Sequence, residues 1–439
     1  MELILKDISE FIIDCEHKTA PIQEFGYPSI RTPNIGKGNL ILENVNRVSE
    51  STYAEWTKRG TPQEGDLIIA REAPVGNVAI IPKNLKVCLG QRTVLVRPNK
   101  KIVNPQYLCY MLLGDELQGQ ILTKTTGATV AHLNMKDIRE LKLSKLPALP
   151  FQKKIASILS AYDELIENNK QRIKLLEEMG EEIYKEWFVR LRFPGYENSK
   201  FYTSRRKEVM YNTIGAIPEN WEYSLLENHI KFYRGKSYSS EELRDSEGLP
   251  MLNLKNVNRG GSFRRDGLKY FEGKYSTNNL AYSGDIIMAV TDMTQNREIV
   301  GRVARVPEMN ISNFIFSMDL IRIEPVGYPK NFIYSFFRYS GIGLKLAEFA
   351  NGANVLHLTP SLITKQKVKL PTIELAEKFE KIVNPFLEEI DVLENKNQLL
   401  QETRDLLLPR LISGKLSVEH LAEEDLGMVA EPRAEYKKA

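Results

Sequence analysis

The chain has 439 residues, 42% hydrophobic and 27% charged, with a formal net charge of +3. That size allows two to four domains with buried cores, and the composition excludes a disordered, fibrous or disulfide-built chain. Charge alternates along the sequence: 19 basic against 16 acidic residues over 1–150 (+3), 7 against 8 over 151–190 (−1), 25 against 18 over 191–373 (+7), and 9 against 15 over 374–439 (−6). The basic blocks suit a polyanion and the acidic ones suit protein or water.

The start, MELILKDISEFIIDCEH, meets acidic residues at once and lacks the pattern of a secretory leader. No run of 18 apolar residues occurs, so no membrane span is expected. Cys15, Cys88 and Cys109 form no CxxC pair, which favours a reducing, cytoplasmic setting. Residues 64–82, EGDLIIAREAPVGNVAIIP, predict two strands around a turn at 73–76. A helix is predicted over 104–121. Its NPQY start approximates the Asn-Pro-Pro-Tyr loop of amino-methyltransferases. It lacks the second proline and any Gly-rich cofactor turn, so a proline-started helix accounts for it better.

The phrase GATVAHL follows at 127–133, then the boundary LPALPFQ at 146–152. Beyond it, Ile155, Leu159, Tyr162, Ile166, Asn169, Ile173, Leu176, Gly180, Ile183 and Trp187 recur in steps of four and three, a heptad stripe. A basic connector over 191–214, with Arg205, Arg206 and Lys207, leads to GAIPENW at 215–221. The second globular stretch has MLNLKNV at 251–257, placed like IRTPNI at 30–35. It continues with strands at 283–290 and 300–307, separated by the insertion TDMTQNREI, and a helix over 329–349. The near copy GANVLHL at 352–358 is followed by LPTIEL at 370–375. A second stripe then runs Phe379, Val383, Phe386, Ile390, Leu393, Asn397, Leu400, Arg404, Leu407, Leu411.

The phrases lie 352 − 127 = 225 residues apart and the stripes 379 − 155 = 224. The chain is therefore an internal duplication: globular block, long helix, globular block, long helix, with an approximate two-fold relation. Each helix would be about 55 Å long at 1.5 Å per residue. Helices of that length need a partner of matching pattern, and this chain supplies two. The packing positions are Ile155, Leu159, Ile166, Ile173 and Leu176 against Val383, Ile390, Leu393, Leu400 and Leu407. Asn169 and Asn397 suit register-setting contacts. Gly180 and Arg404 should loosen the seam, Pro385 should kink the second helix or delay its start, and Pro409 with Gly414 should end it. The fold class is thus α+β: mixed α/β blocks at 1–150 and 191–373, helices at 151–190 and 374–417, and a flexible acidic tail at 418–439.

Catalytic motifs are missing: no GxxxxGK[ST], GxSxG or HExxH occurs. DCEH at 14–17 has no second cluster to complete a metal site and reads as a surface turn. His132 and His357, in the repeated phrases, lack an evident partner for general-base work and read as structural. The chain looks like a binder, with side chains suited to DNA: Lys18, Thr19, Arg31, Arg71 and Arg92 in the first block, Asn253, Lys255, Asn258, Arg259, Arg264 and Arg265 in the second. Gly260 and Gly261 would allow close approach of backbone to the duplex.

The combination of LPALPFQKKIASIL, EWFVRLRFPGYEN, GAIPENW and LLLPRLISGKL resembles the DNA-specificity subunit of type I restriction-modification systems, over roughly residues 1–417. DCEHKTAP, GDLIIAREAPVGNVAIIP, LGQRTVLVRP and TTGATVAHLNMKDI resemble one class of its target-recognition domains. A departure is that LPTIELAEKF lacks the Gln that the family often places after this proline, leaving the start of the second helix open. The resemblance implies two target-recognition domains reading halves of a split double-stranded DNA site, spaced by an antiparallel pair of helices. It implies docking of two modification subunits that bring S-adenosylmethionine, and of motor-nuclease subunits using ATP and Mg, with no cofactor in this chain itself. The competing readings are a stand-alone methyltransferase, against which the missing cofactor motifs argue, and a protein-only coiled-coil scaffold.

Overall fold

The computed structural model describes residues 3–125 and 131–421, so residues 127–130 of the first repeated phrase and 422–439 of the tail lie outside the described residues. The chain forms two compact units, one of residues 1–168 with 397–439 and one of 169–396.

Besides a two-residue strand, Arg47–Val48, the strands of the first unit are β1 (Ser9–Asp14), β2 (Tyr27–Ile30), β3 (Leu67–Ala70), β4 (Val78–Ile80), β5 (Cys88–Leu89) and β6 (Thr93–Pro98). Four of them form an antiparallel sheet in the order β1–β6–β3–β4, and β2 pairs parallel with β5. β3 is buried at every residue because both sheet faces are covered. Leu67 and Ile69 enter one apolar cluster, and Ile68 and Ala70 enter another. Besides a short helix at Glu50–Trp56, the helices are α1 (Pro105–Leu113), α2 (Asp115–Lys124), α3 (Met135–Arg139) and the long α4 (Leu149–Tyr184). Asn104 caps α1 by accepting from the Tyr107 N–H at 2.9 Å, with Pro105 in the first turn, so NPQY serves as a helix start.

The second unit repeats this order. Its corresponding strands are β7 (Ile230–Arg234), β8 (Leu249–Leu252), β9 (Ile286–Ala289), β10 (Val303–Arg305), β11 (Phe314–Phe316) and β12 (Leu320–Pro325). They give an antiparallel sheet β7–β12–β9–β10 and a parallel pair β8–β11. The helices α5 (Lys330–Tyr339), α6 (Ile342–Ala347), α7 (Pro360–Thr364) and α8 (Ile373–Ile412) follow. These strands and helices follow one another in the same order as their counterparts, with additional short strands between them in the second unit. The repeated phrase has a repeated job: the Leu133 N–H donates to the Arg71 carbonyl at 3.0 Å, and the Leu358 N–H donates to the Val290 carbonyl at 2.8 Å.

Within each unit, segments of α4 and α8 run antiparallel. In the first, Lys154 donates to the Leu421 carbonyl at 2.7 Å and Arg404 pairs with Asp163 at 2.5 Å, while Ile155, Leu159 and Leu411 share an apolar cluster. In the second, Arg172 meets Glu389 at 3.0 Å, and Tyr184, Trp187 and Phe188 pack around Phe379. A π-helical turn, Lys185–Val189, ends α4 and lets the consecutive Trp187 and Phe188 both point inward. All ten named packing positions on the two helices are buried or half-buried, as are Asn169 and Asn397. Leu175, Met179, Leu399 and Leu406, off the stripe, are exposed.

Three sequence expectations about the helices are corrected. Pro385 neither delays nor interrupts α8. Its missing N–H and the Lys381 carbonyl it leaves unpaired fall on an exposed face, where water serves. Pro409 likewise lies inside α8, which ends at Ile412 ahead of Gly414 at φ 72°. Arg404 tightens the seam, because Asp163 neutralises it and also accepts from the Tyr110 hydroxyl at 2.5 Å. Gly180 is buried, but an added Cβ would lie 3.9 Å from Val383, an ordinary contact. Gly180→Ala is therefore expected to raise stability by about 0.5–1 kcal/mol, read as a higher urea midpoint; a lower midpoint would show that the seam has no room there. The tail is also partly placed: Val418 is buried in the first unit's core.

The missing Gln has a structural answer. Gln152 accepts from the Asn104 N–H at 2.8 Å and donates to the Pro147 carbonyl at 2.8 Å, joining the base of α4 to the start of α1. In the second copy the 224-residue offset places Ala376 there, fully buried. The carbonyl of Pro371, equivalent to Pro147, accepts instead from the Tyr328 hydroxyl at 2.6 Å. Glu380 of α8 caps α5 by accepting from the Asn331 N–H at 3.1 Å, and Thr372 caps α8 by accepting from the Leu375 N–H at 3.3 Å. The equivalent carbonyl, of Pro147 or Pro371, is thus satisfied by different side chains in the two copies.

Candidate nucleic-acid interface

In the first unit, the motifs DCEH, AREAP, LGQR and the first repeated phrase converge. Arg71, which follows β3 and has a side chain only 8% exposed, donates from Nε to the Leu133 carbonyl at 2.9 Å. Its Nη1 reaches Asp14 Oδ2 at 2.7 Å and its Nη2 reaches His132 Nε2 at 2.9 Å. A guanidinium only donates, so His132 Nε2 accepts and its Nδ1–H donates to Glu72 Oε1 at 2.8 Å. Glu72 Oε2 in turn holds Arg92 at 2.9 Å, and Asp14 holds His17 at 3.1 Å. His132 thus has the partners that sequence spacing did not reveal. Among the described residues the second unit has no such network: Val290 and Thr291 stand where Arg71 and Glu72 stand, and the His357 ring meets the Thr291 hydroxyl at 3.4 Å.

This geometry sorts the candidate contacts. Arg71 serves as a buried brace, with all three guanidinium nitrogens engaged inside the unit. Arg92 is exposed, sits in the left-handed region at φ 65°, and is oriented by Glu72. Lys18, Thr19 and Arg31 are exposed. Gln91 donates to Thr19 at 3.2 Å, and Lys18 and Arg31 form no ion pair among the described residues.

The favoured cluster of the second unit is largely consumed by its own fold. Asn253 donates to the Gly267 carbonyl and accepts from the Lys255 N–H, both at 3.0 Å, and Asn258 donates to Ser262 at 2.8 Å. Arg264 pairs with Asp266, and Arg259 pairs with Glu298 at 3.0 Å while remaining exposed. Arg265 reaches Glu394 at 2.8 Å and Asn395 at 2.6 Å, tying its loop to α8. Burial pushes the Glu394 carboxyl above its ordinary value, and Arg265 opposes that rise. Lys255 alone of the cluster is an exposed cation with no ion pair among the described residues. Gly261 is buried at φ 73° beneath Val303 and serves the turn itself. Residues 293–297 were not singled out from the sequence; the signal was the length of the insertion that contains them.

His17, Asp14 and the buried Cys15 lie close enough to share an ion. Asp14 is already committed to Arg71 and His17, so they suit an ion pair better than a metal. No helix among the described residues is long and apolar enough to cross a membrane.

Comparison with known proteins fits this architecture. The profile of the type I restriction modification DNA specificity domain matches residues 5–178 and again 218–402. The type I restriction enzyme MjaIX specificity subunit of Methanocaldococcus jannaschii is 24% identical over 388 residues, 87% of this chain and 84% of that protein. The HindI specificity subunit of Haemophilus influenzae is 22% identical over 402 residues, 81% of this chain and 87% of its own. The crystal structure of the S subunit from M. genitalium matches with a TM-score of 0.57 at 17% identity, covering 94% of this chain and 95% of that one, a likeness of fold. With both halves matched and the duplicated frame in place, the chain belongs to the type I restriction-modification DNA specificity family, as a non-catalytic specificity subunit.

Proposed function

We propose that the chain reads a split double-stranded DNA target and directs adenine methylation and restriction by partner subunits. Residues 1–150 and 191–373 are the two target-recognition domains, and 151–190 and 374–417 are the spacer helices. Two modification subunits supply S-adenosylmethionine and the methyl transfer, motor-nuclease subunits supply ATP- and Mg-dependent restriction, and this chain supplies sequence recognition without a cofactor of its own.

One observation carries the reading. The two blocks share strand order and helix order yet differ in the connectors that the frame displays. β3 and β4 are joined by seven residues, 71–77, and β9 and β10 by thirteen, 290–302. A conserved frame with unlike loops is what two readers of unlike half-sites require.

The test is protection of DNA by the chain assembled with its modification subunits. Two short protected blocks separated by unread bases are expected, with affinity falling steeply as salt rises. Protection of one continuous block would overturn the split site, and no protection would favour the protein scaffold. Binding of S-adenosylmethionine by the purified chain alone would favour a stand-alone methyltransferase.

A further inference from the structure

The longer connector of the second unit is built as a display. In both copies the same backbone bonds close the connector: the Ala70 N–H donates to the Asn77 carbonyl and the Gly76 N–H to Ala70, while the Ala289 N–H donates to the Arg302 carbonyl and the Gly301 N–H to Ala289. Gly76 and Gly301 both take positive φ, 84° and 79°. Inside that closure the first copy has five residues, 71–75, and the second eleven, 290–300.

The extra residues are held from below. Asp292 is fully buried and accepts four hydrogen bonds: from the Thr294 N–H at 2.8 Å, the Thr294 hydroxyl at 2.9 Å, the Ile299 N–H at 2.8 Å and the Val300 N–H at 3.3 Å. One carboxylate therefore clamps both ends of the loop. Burial alone would push its pKa up, but these donors outweigh burial and hold it below the ordinary value. Gln295 donates to the Ala353 carbonyl at 2.9 Å, fastening the loop to the second repeated phrase.

What the clamp presents is free. Asn296 and Arg297 are exposed, and neither side chain has a hydrogen bond or ion pair among the described residues. Arg297 sits at φ 53°, in the left-handed region, within the turn that the clamp closes. Asn matches the paired donor and acceptor of an adenine edge, and Arg matches the two acceptors of guanine. A rigid base carrying unengaged amide and guanidinium groups avoids the ordering entropy that weakens flexible contacts.

We propose that the Asp292-clamped loop is a base-reading element of the second unit, in which Asn296 and Arg297 address purine edges of one half of the target and Asp292 is their positioning residue. This rests on the DNA-recognition reading above.

The experiment selects preferred sequences from a randomised DNA library with the chain assembled with its modification subunits, as wild type, Asn296→Ala, Arg297→Ala and Arg297→Lys. Each Ala variant is expected to lose discrimination at one or two adjacent base pairs of a single half-site, on the order of tenfold to a hundredfold, with the other half unchanged. Arg297→Lys should keep most of the affinity but lose discrimination, because Lys lacks the planar fork. Selection by the variants identical to that of wild type would overturn the loop assignment alone. So would a uniform loss of affinity on all sequences with a salt slope shallower by about one, the signature of a phosphate contact. Failure of the wild type to select any sequence would remove the recognition reading itself, and the loop assignment with it.

Discussion

Phe379→Ala is expected to be among the most damaging single substitutions in the second unit, lowering stability by about 3–5 kcal/mol. The ring is fully buried near the start of α8 and touches four others. Phe188 lies at 5.1 Å between centroids, Tyr184 at 5.8 Å, Trp187 at 6.0 Å and Phe332 at 6.2 Å, mostly edge to face. Those partners come from the end of α4, the π-helical turn and α5, so one side chain joins α8 to elements that lie as far back as 379 − 184 = 195 residues in sequence. Truncation leaves a void walled by rigid rings, and such walls collapse poorly. The urea midpoint and the melting temperature are the measurements, with a fall on the order of 10 °C for a unit of this size. Phe379→Leu, which keeps most of the volume, should cost markedly less. If the alanine variant loses less than about 1 kcal/mol, this aromatic cluster is not what holds the two helices together in this unit.

The contrast between what the sequence made legible and what it hid follows the range of the interactions. The heptad stripes were legible because periodicity is local: Ile155 and Leu159, or Leu407 and Leu411, announce a buried face without knowledge of the partner. The duplication was legible because GATVAHL and GANVLHL recur with nearly the same spacing as the stripes, and their last residues, Leu133 and Leu358, make the same backbone bond. The internal partners of Arg71 and Arg265 were hidden for the opposite reason. Nothing near Arg71 shows that Asp14, 57 positions earlier, and His132, 61 later, will saturate it, and nothing near Arg265 points to Glu394, 129 positions on. Pro385 was over-weighted because the cost of a proline depends on whether the freed carbonyl is buried, a tertiary property. The loop at 293–297 lay between: its extra length was visible, but the four-fold clamp by Asp292 that gives it meaning was not.

Removing Glu177 should cost about 3–5 kcal/mol, because it strands a charge. Arg338 of α5 has a side chain only 10% exposed; its Nη2 meets Glu177 at 2.9 Å, its Nη1 donates to the Tyr334 hydroxyl at 2.7 Å, and its guanidinium lies 5.2 Å from the centre of the Tyr339 ring. Burial disfavours the charged form, yet Tyr334, Tyr339 and Glu177 outweigh it and hold the pKa above the ordinary arginine value. Two further arginines of the second unit make the same kind of contact with α8: Arg305 with Asp391 at 2.8 Å and Arg265 with Glu394 at 2.8 Å. Glu177→Ala leaves the Arg338 guanidinium buried with neutral partners, whereas Glu177→Ala combined with Arg338→Met replaces the pair by apolar volume. The double variant should recover most of the stability lost by the single one, since a buried pair gains little over a hydrophobic replacement once its desolvation is counted. Urea unfolding of wild type, both single variants and the double variant closes the cycle. A loss below about 1 kcal/mol for Glu177→Ala, the range of surface pairs, would mean that Arg338 swings out to water, and that the block is held on α4 by its apolar contacts alone.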